Sequence, residues 1–477
     1  MPLFPIEPVV TTPTLELTPQ AVAGLVEELR AYHARYAPLF QRQEQRDWSA
    51  QYLQGLLSAL PRTSVEPMVL ALVGADRDAV RGRQHFVSAG TWDDTAILGR
   101  HRQEVEQTLG ADDGVLTLDG SACPTQGRES VGVKRQYCGE LGKRANGQAG
   151  VFLGYASRHG DTLLDRRLYL PEEWVADAAY AARREACGVP AGTSFQTETA
   201  LGAALIRAVR QAGTLRCRWV ACDEGFGRDT GLPDALAARG LWYYAEVPHD
   251  TRVWRDRPAT AVPAWSGRGR KPTREQRRAP AAAPQTVAEV AAALPARAWS
   301  RRCITEGSKG PITADFALVR AVAVRDGLPG PAVWLVLRRN TETGELQGYR
   351  TNAAAATPPA VLVRLSGMRW PIARCFEEGK QHLGLGDYEV RSWRGWHHHL
   401  TLVILAHFFL MRLQCRWGGK GSRAHPAPSP PAADGRAPQA HLRPRLGAGS
   451  TGVLATPERG GLSRASYAPP RAARRVS

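Results

Sequence analysis

The sequence predicts an α/β protein: a mixed sheet flanked by helices, with a helical N-terminal region and an inserted segment before a last, charged helix. Three observations carry this. Two short apolar runs rich in β-formers, Gly114-Val115-Leu116-Thr117-Leu118-Asp119 and Trp219-Val220-Ala221-Cys222-Asp223, each end in a carboxylate. Helix-like and strand-like segments alternate around them, as in a sheet covered by helices. Late in the chain Arg369, Ala373, Glu377 and Lys380 recur at spacings of four, four and three, with Pro371 suited to a first helical turn.

Taken in order, residues 18 to 60 keep a helical rhythm through Leu25, Leu29, Tyr32 and Tyr36 and again from Tyr52 to Leu60, with Pro38 breaking the run. The polar stretch 41–47 suits either a solvated face or a DNA backbone. A further helix is expected over roughly 93 to 110. After the strand that delivers Asp119, three strand-like runs at 130–137, 149–157 and 162–170 predict an antiparallel start to the sheet. Helices are expected over 172–187 and 194–212, then the strand that delivers Asp223, a helix over 233–239 and a strand over 242–247. Residues 251 to 310 turn to Arg, Pro and Ala, an exposed insertion that either touches nucleic acid or stays mobile. Strands return at 316–324 and 332–337, followed by a helix over 359–367, the charged helix and a buried helix through 401–410. The domain reading is a helical region 14–110 with DNA contacts possible on its surface, a first catalytic part 111–250, a basic insertion with strands 251–350, final helices 351–413 and a disordered basic tail 414–477.

The formal charge of +17 and the pI near 9.9 favour a polyanionic partner, nucleic acid before membrane, or else reflect a basic, Arg-rich genome bias. No run of about 18 apolar residues predicts a membrane span, and the N-terminus lacks the pattern of a signal peptide. A cytoplasmic, nucleoid-associated protein is expected. The eight cysteines contain no CxxC pair, so neither a zinc site nor a disulfide framework is indicated.

Two strand-end carboxylates beside a charged helix suit phosphoryl transfer, in which oxygen ligands hold two Mg²⁺ or Mn²⁺ ions about 3.5 to 4 Å apart. A strand-end Asp is otherwise a helix cap or turn residue. Leu118-Asp119-Gly120-Ser121, the run from Ser130 through Lys134 and Arg135 to Gly139, Cys222-Asp223-Glu224-Gly225-Phe226-Gly227 and the segment from Arg369 to Trp393 together resemble bacterial insertion-sequence DDE transposases. The resemblance covers roughly residues 20 to 413. It implies a ribonuclease-H-like fold, metal-dependent cleavage of DNA at element ends, strand transfer into a target, and action as a homo-oligomer on DNA. Asp119 and Asp223 carry over as metal-binding acids. Arg369 and Lys380 match the family's helix and are expected at DNA phosphate, as are Lys134 and Arg135. The family's third acid does not carry over, because its place is taken by Ala373. Glu377 lies one helical turn on, about 5 to 6 Å along the axis. Either this copy is impaired or Glu377 substitutes. The alternative function is a non-catalytic DNA-binding relic or regulator. The abrupt turn to Pro, Gly and Arg near Cys415 suggests a frameshift.

Overall fold

The computed structural model describes residues 19–278, 282–307 and 310–417. Its N-terminal region is built from α1 (Pro19–His33), α2 (Gln43–Leu56), α3 (Val65–Leu72), α4 (Arg77–Ser88) and α5 (Asp94–Leu109), and the expected break at Pro38 is a single 3₁₀ turn. Neither α3 nor α4 is among the elements the sequence predicts. α4 has few apolar positions, so its rhythm is faint; its clearest local signal is Asp76, which accepts hydrogen bonds from the amides of Asp78 and Ala79. Asp93 caps α5 in the same way. Tyr32, Phe40, Leu53, Phe86 and Trp92 are buried together.

The central part follows as β1 (Val115–Pro124), β2 (Lys134–Cys138), β3 (Lys143–Ser157), β4 (Gly160–Leu168), α6 (Glu172–Ala176), α7 (Ala181–Ala186), α8 (Glu198–Ala212), β5 (Trp219–Cys222), α9 (Glu224–Gly227), α10 (Gly231–Ala237) and β6 (Trp242–Val247). β1, β3 and β4 are antiparallel neighbours, and β5 and β6 run parallel to β1 on its other side. That is the expected ribonuclease-H-like mixed sheet. The helix expected over 172–187 is instead two short helices with a 3₁₀ turn between them, because Asp177 caps a new turn at the amide of Ala179.

After β6 come β7 (Arg252–Trp254), β8 (Thr260–Ala261), β9 (Gln276–Arg277), β10 (Gln285–Thr286), α11 (Val287–Ala293), β11 (Ser300–Gly307), β12 (Gly310–Arg325), β13 (Leu328–Arg339) and β14 (Leu346–Thr351). Most of this segment extends the main sheet: among the described residues twelve strands form one sheet, ordered β10-β7-β12-β13-β14-β6-β5-β1-β3-β2, with β11 on β12 and β4 on β3. Only β8 and β9 stand apart, as a two-stranded ribbon. The insertion has its own core around Val253, Val287, Val290, Leu335 and Leu337. β12 and β13 are longer than their apolar centres suggested because Asp326 and Gly327, with φ of 49° and 76°, close a tight hairpin between them.

Three helices complete the fold: α12 (Pro359–Leu365), α13 (Trp370–His382) and α14 (Trp393–Trp417). α14 is longer than its apolar stretch predicted and carries helix through 414–417, where the tail was expected to begin; the rest of that tail lies outside the described residues. α14 joins the N-terminal helices to the sheet. The Tyr32 hydroxyl donates to the Leu405 carbonyl at 2.9 Å, Tyr52 Oη lies 2.8 Å from His399 Nδ1, and Trp92 stacks on His398 with ring centroids 3.6 Å apart. No described helix is long and apolar enough to cross a membrane.

Five of the described histidines are buried on α5 and α14: His101, His397, His398, His399 and His407. Nitrogens of His398 lie 3.0 and 3.2 Å from the carbonyls of Val87 and Trp92, and Nε2 of His101 lies 2.8 Å from the carbonyl of Leu163. Burial pushes His101, His398 and His399 down to about 4 and His397, with Arg166 alongside, down to about 3. In the unfolded chain these rings titrate near 6.5, about the ordinary value. Below that pH the unfolded chain takes up protons that the folded chain refuses, so stability falls with pH until the folded values are reached. We expect guanidinium unfolding midpoints to drop steadily from about pH 6.5 to 4.5, at up to roughly 1.4 kcal/mol per pH unit for each histidine. A flat profile over that range would show that these rings are not held neutral.

Candidate active site

β1 and β5 pair in parallel from Val115↔Trp219 to Leu118↔Cys222, and there the ladder stops. The next residue on each strand is an aspartate. Beyond that point β1 does not end at Asp119, as its apolar run suggested. It continues antiparallel to β3, from Asp119↔Phe152 to Pro124↔Gly147, while the chain after β5 turns into the single-turn helix α9. The two strands therefore diverge at the carboxylates and leave a cleft at the carboxyl ends of the parallel pair, the usual place for a site in such a sheet.

Asp223 caps α9, its Oδ1 accepting from the Phe226 amide at 3.1 Å. The capping role and the functional candidacy thus coexist in one side chain. A Cβ added to Gly225 would find the Asp223 carboxyl group as its nearest neighbours, from 3.4 Å, so glycine leaves that carboxylate open. Oδ1 of Asp119 accepts from the Gly120 amide at 2.7 Å. Burial, and then the neighbouring charge of Asp223, push the Asp119 carboxyl up to about 7; Arg369 and the Gly120 amide pull it the other way, and Glu198 adds to the rise.

Arg369, at the start of α13, faces these acids. Its Nη1 donates to Glu246 Oε2 at 2.6 Å, and the charges of Glu246, Asp119 and Asp223 together raise its pKa against the effect of burial. Glu246, on β6, is raised by burial and eased by Arg369. Glu198, in the first turn of α8, is raised by burial and by Asp223; its Oε2 would lie 4.0 Å from a Cβ at Gly120. The sequence reading overlooked Glu198 and Glu246. One signal was present for each: Glu246 breaks an otherwise apolar strand, and Glu198 directly follows the helix cap Thr197.

The remaining predicted residues spread along α13 and β2. Lys380 Nζ donates to the Ala122 carbonyl at 3.0 Å and pairs with Glu140 at 3.2 Å, which ties the far end of α13 to the far end of β1. Ala373 and Glu377 share an exposed face. The Glu377 carboxylate accepts from Gln381 at 3.3 Å, whereas Glu378 turns inward to His407 at 3.1 Å and Arg374 at 3.8 Å. Lys134 is paired with Glu173, and Arg135 is exposed. In the insertion, the β8–β9 ribbon and its loop expose Arg268, Arg270, Lys271 and Arg274; Trp265, 52% exposed, donates its indole N–H to the Gly269 carbonyl at 3.2 Å.

Asp119, Asp223 and Arg369 thus come together, while Glu377 is directed elsewhere. Two crowded carboxylates, one of them holding its proton to about 7, have the oxygen chemistry a divalent cation prefers. They are not a complete set. Among the described residues no three His, Cys, Asp or Glu side chains converge closely enough to hold a metal ion.

Comparison with known proteins gives two findings. The family model for DDE superfamily endonucleases matches residues 35–311, more than half of the chain, including both aspartates and stopping before α13. A protein of Microchaete diplosiphon described as a probable transposase for insertion sequence element IS701 is 28% identical over 198 residues, which cover 41% of this chain and 47% of that relative. The chain therefore spans about half the length of the relative it matches.

Because the folded Asp119 binds its proton more tightly than the unfolded one, with its ordinary value near 3.9, the chain loses stability as pH rises through 7. Asp119→Asn removes that cost. We expect the variant to be more stable than the wild type at about pH 8, by about 1–2 kcal/mol, with the gap narrowing toward about pH 5. Equal denaturation midpoints at the higher pH would show that the two aspartates do not strain each other.

Proposed function

The chain belongs to the DDE superfamily endonucleases, and from that premise we propose that it is an insertion-sequence transposase that binds DNA across the Asp119–Asp223 cleft and whose cutting step is impaired by Ala373. The observation that carries this is the site itself: two carboxylates meet at the end of the parallel ladder, yet among the described residues no three acids, Glu198 and Glu246 included, converge closely enough to hold a metal ion.

Asp119 and Asp223 are the residues that would hold Mg²⁺ or Mn²⁺. When bound, such ions stabilise the attacking and leaving oxygens of a phosphoryl transfer. Arg369 neutralises the crowded acids and keeps them from closing the cleft to a phosphate. Lys380, Lys134 and Arg135 lie toward the far end of β1 and offer cations to the DNA backbone, and the β8–β9 ribbon adds a second basic surface. Glu377 is a poor substitute for the missing acid. It sits one turn on from Ala373, about 6 Å along the helix, and its carboxylate already accepts from Gln381. Cleavage at element ends, strand transfer and assembly as a homo-oligomer on DNA belong to this reading. A non-catalytic DNA-binding relic or regulator is its limiting case, favoured by the exposed methyl group where an acid is needed.

Ala373→Glu is the deciding experiment, with a supercoiled plasmid carrying the element's ends incubated with protein and Mn²⁺. The wild type is expected to bind and to nick slowly or not at all, and the variant to gain at least about tenfold in cleavage, roughly 1.4 kcal/mol of barrier. That gain should vanish when Asp119→Ala is added. Efficient wild-type cleavage that Glu377→Ala abolishes would overturn the reading in favour of Glu377.

A further inference from the structure

The β2–β3 hairpin grows directly out of the candidate site. β3 pairs with β1 along its whole length and then runs past it to pair Lys143–Gly147 with Lys134–Cys138. Alternation along β2 sorts its side chains: Cys138 is buried against the Ala122 carbonyl, 3.8 Å away, and Gln136 donates to the Gly147 carbonyl at 2.7 Å. The residues that alternate with them, Arg135 and Tyr137, face outward, and Arg144 lies directly across from Tyr137. Arg144 is further held by a bond to the Arg135 carbonyl at 3.4 Å.

This outer face has no use within the chain. Tyr137 is 65% exposed, more than any other large apolar side chain among the described residues. The neighbouring acids are taken, Glu173 by Lys134 and Glu140 by Lys380, so among the described residues neither Arg135 nor Arg144 has an acidic partner. The inner side is braced. Lys380 fastens the hairpin end and the end of β1 to α13, and Trp174 donates to the Val133 carbonyl at 2.9 Å at its base. A stiff edge thus presents an aromatic ring with one cation two residues before it on β2 and a second directly across from it on β3, the chemistry of a surface that follows a nucleic-acid backbone.

We propose that the outer face of the β2–β3 hairpin, formed by Arg135, Tyr137 and Arg144, is a docking surface for the sugar–phosphate backbone of duplex DNA that continues along β1 beyond the reacting phosphate. This rests on the transposase reading above. The spacing suits it. Five residue steps along β1 from Asp119 to Pro124 and three along β3 from Gly147 to Arg144 span about 25 Å at roughly 3.3 Å per step, about three-quarters of a turn of duplex. Arg135 and Arg144 take phosphates, and Tyr137 lays its ring against a deoxyribose with its hydroxyl free to donate.

The test uses the full chain and a fluorescein-labelled random-sequence duplex of about 30 base pairs, with binding followed by anisotropy between about 50 and 200 mM salt. Arg135→Ala with Arg144→Ala should reduce the slope of log K against log salt by about two. Tyr137→Ala should weaken binding about fivefold with the slope unchanged, and Tyr137→Phe should regain most of the loss, since the ring remains. Removing two exposed cations elsewhere, Arg77→Ala with Arg81→Ala on α4, should leave the slope in place. Thermal melting should be alike in all variants. A hairpin double variant with the wild-type slope, or an equal drop in the α4 variant, overturns the docking surface while leaving DNA binding intact. Failure of the wild type to bind overturns the parent reading, and this one with it.

Discussion

Two like charges held at the end of one hydrogen-bond ladder are the constraint around which this protein is arranged. The β1–β5 pairing stops at Leu118 and Cys222, and the pleat hands each strand's next residue, a carboxylate, to the same opening. A pair of that kind is unfavourable in a partly dry cleft unless a proton, a guanidinium or a metal ion answers it. Here Asp119 keeps its proton to about 7 and Arg369 supplies the guanidinium. Glu246 in turn anchors Arg369 at 2.6 Å. Without Arg369, three acids on adjoining strands would share one opening uncompensated.

Arg369 also fixes where α13 begins, and further contacts fix its register. Arg374 pairs with Asp161, Glu378 meets His407, the Phe376 ring lies edge-on to Phe152 at 5.1 Å, and Lys380 reaches the Ala122 carbonyl. These anchors come from β1, β3, β4 and α14. A helix held from so many sides cannot slide by a turn, a movement of about 5.4 Å, without breaking most of them. The register that seats Arg369 and Lys380 therefore also fixes Ala373 and Glu377 on the exposed face of α13. Glu377 can reach the aspartates only through its own rotamers, not through a shift of α13.

Much of this is legible in the sequence, and what is not has physical causes. Strands such as β6, bounded by turns and rich in aromatic residues, are recognisable because their apolar runs begin and end with the strand. β1 is different. Its apolar part is what lies under helices, while Gly120 to Pro124 leaves that cover and loses its hydrophobic signature without losing its partner strand. The insertion strands were visible only as apolar centres, and their membership of the main sheet depends on pairings across long stretches of sequence, which local patterns do not encode. At the site, Asp119 and Asp223 announce themselves at strand ends. Glu198 and Glu246 come near the aspartates only through the packing of α8 and the pairing of β6, so nothing local distinguished them from solvated acids. The acid missing at Ala373, by contrast, follows from the resemblance of the Arg369 segment to the family's helix.

The pairing of β14 with β6 has a mechanical meaning. Four rungs, from Gly348↔Val247 to Thr351↔Tyr244, join the inserted strands to the catalytic ones. A wall hydrogen-bonded to the floor has no hinge, so swinging the insertion away would break those rungs and part the apolar cover of β6. Such a protein offers its ligand a mould rather than a jaw. On the transposase reading, a duplex laid into it would meet a rigid contour, and the work of fitting would fall on the nucleic acid, for which a bend of about 40–90° over 20–30 base pairs costs roughly 1–6 kcal/mol. Sequences that bend easily would then be favoured even where no side chain touches a base.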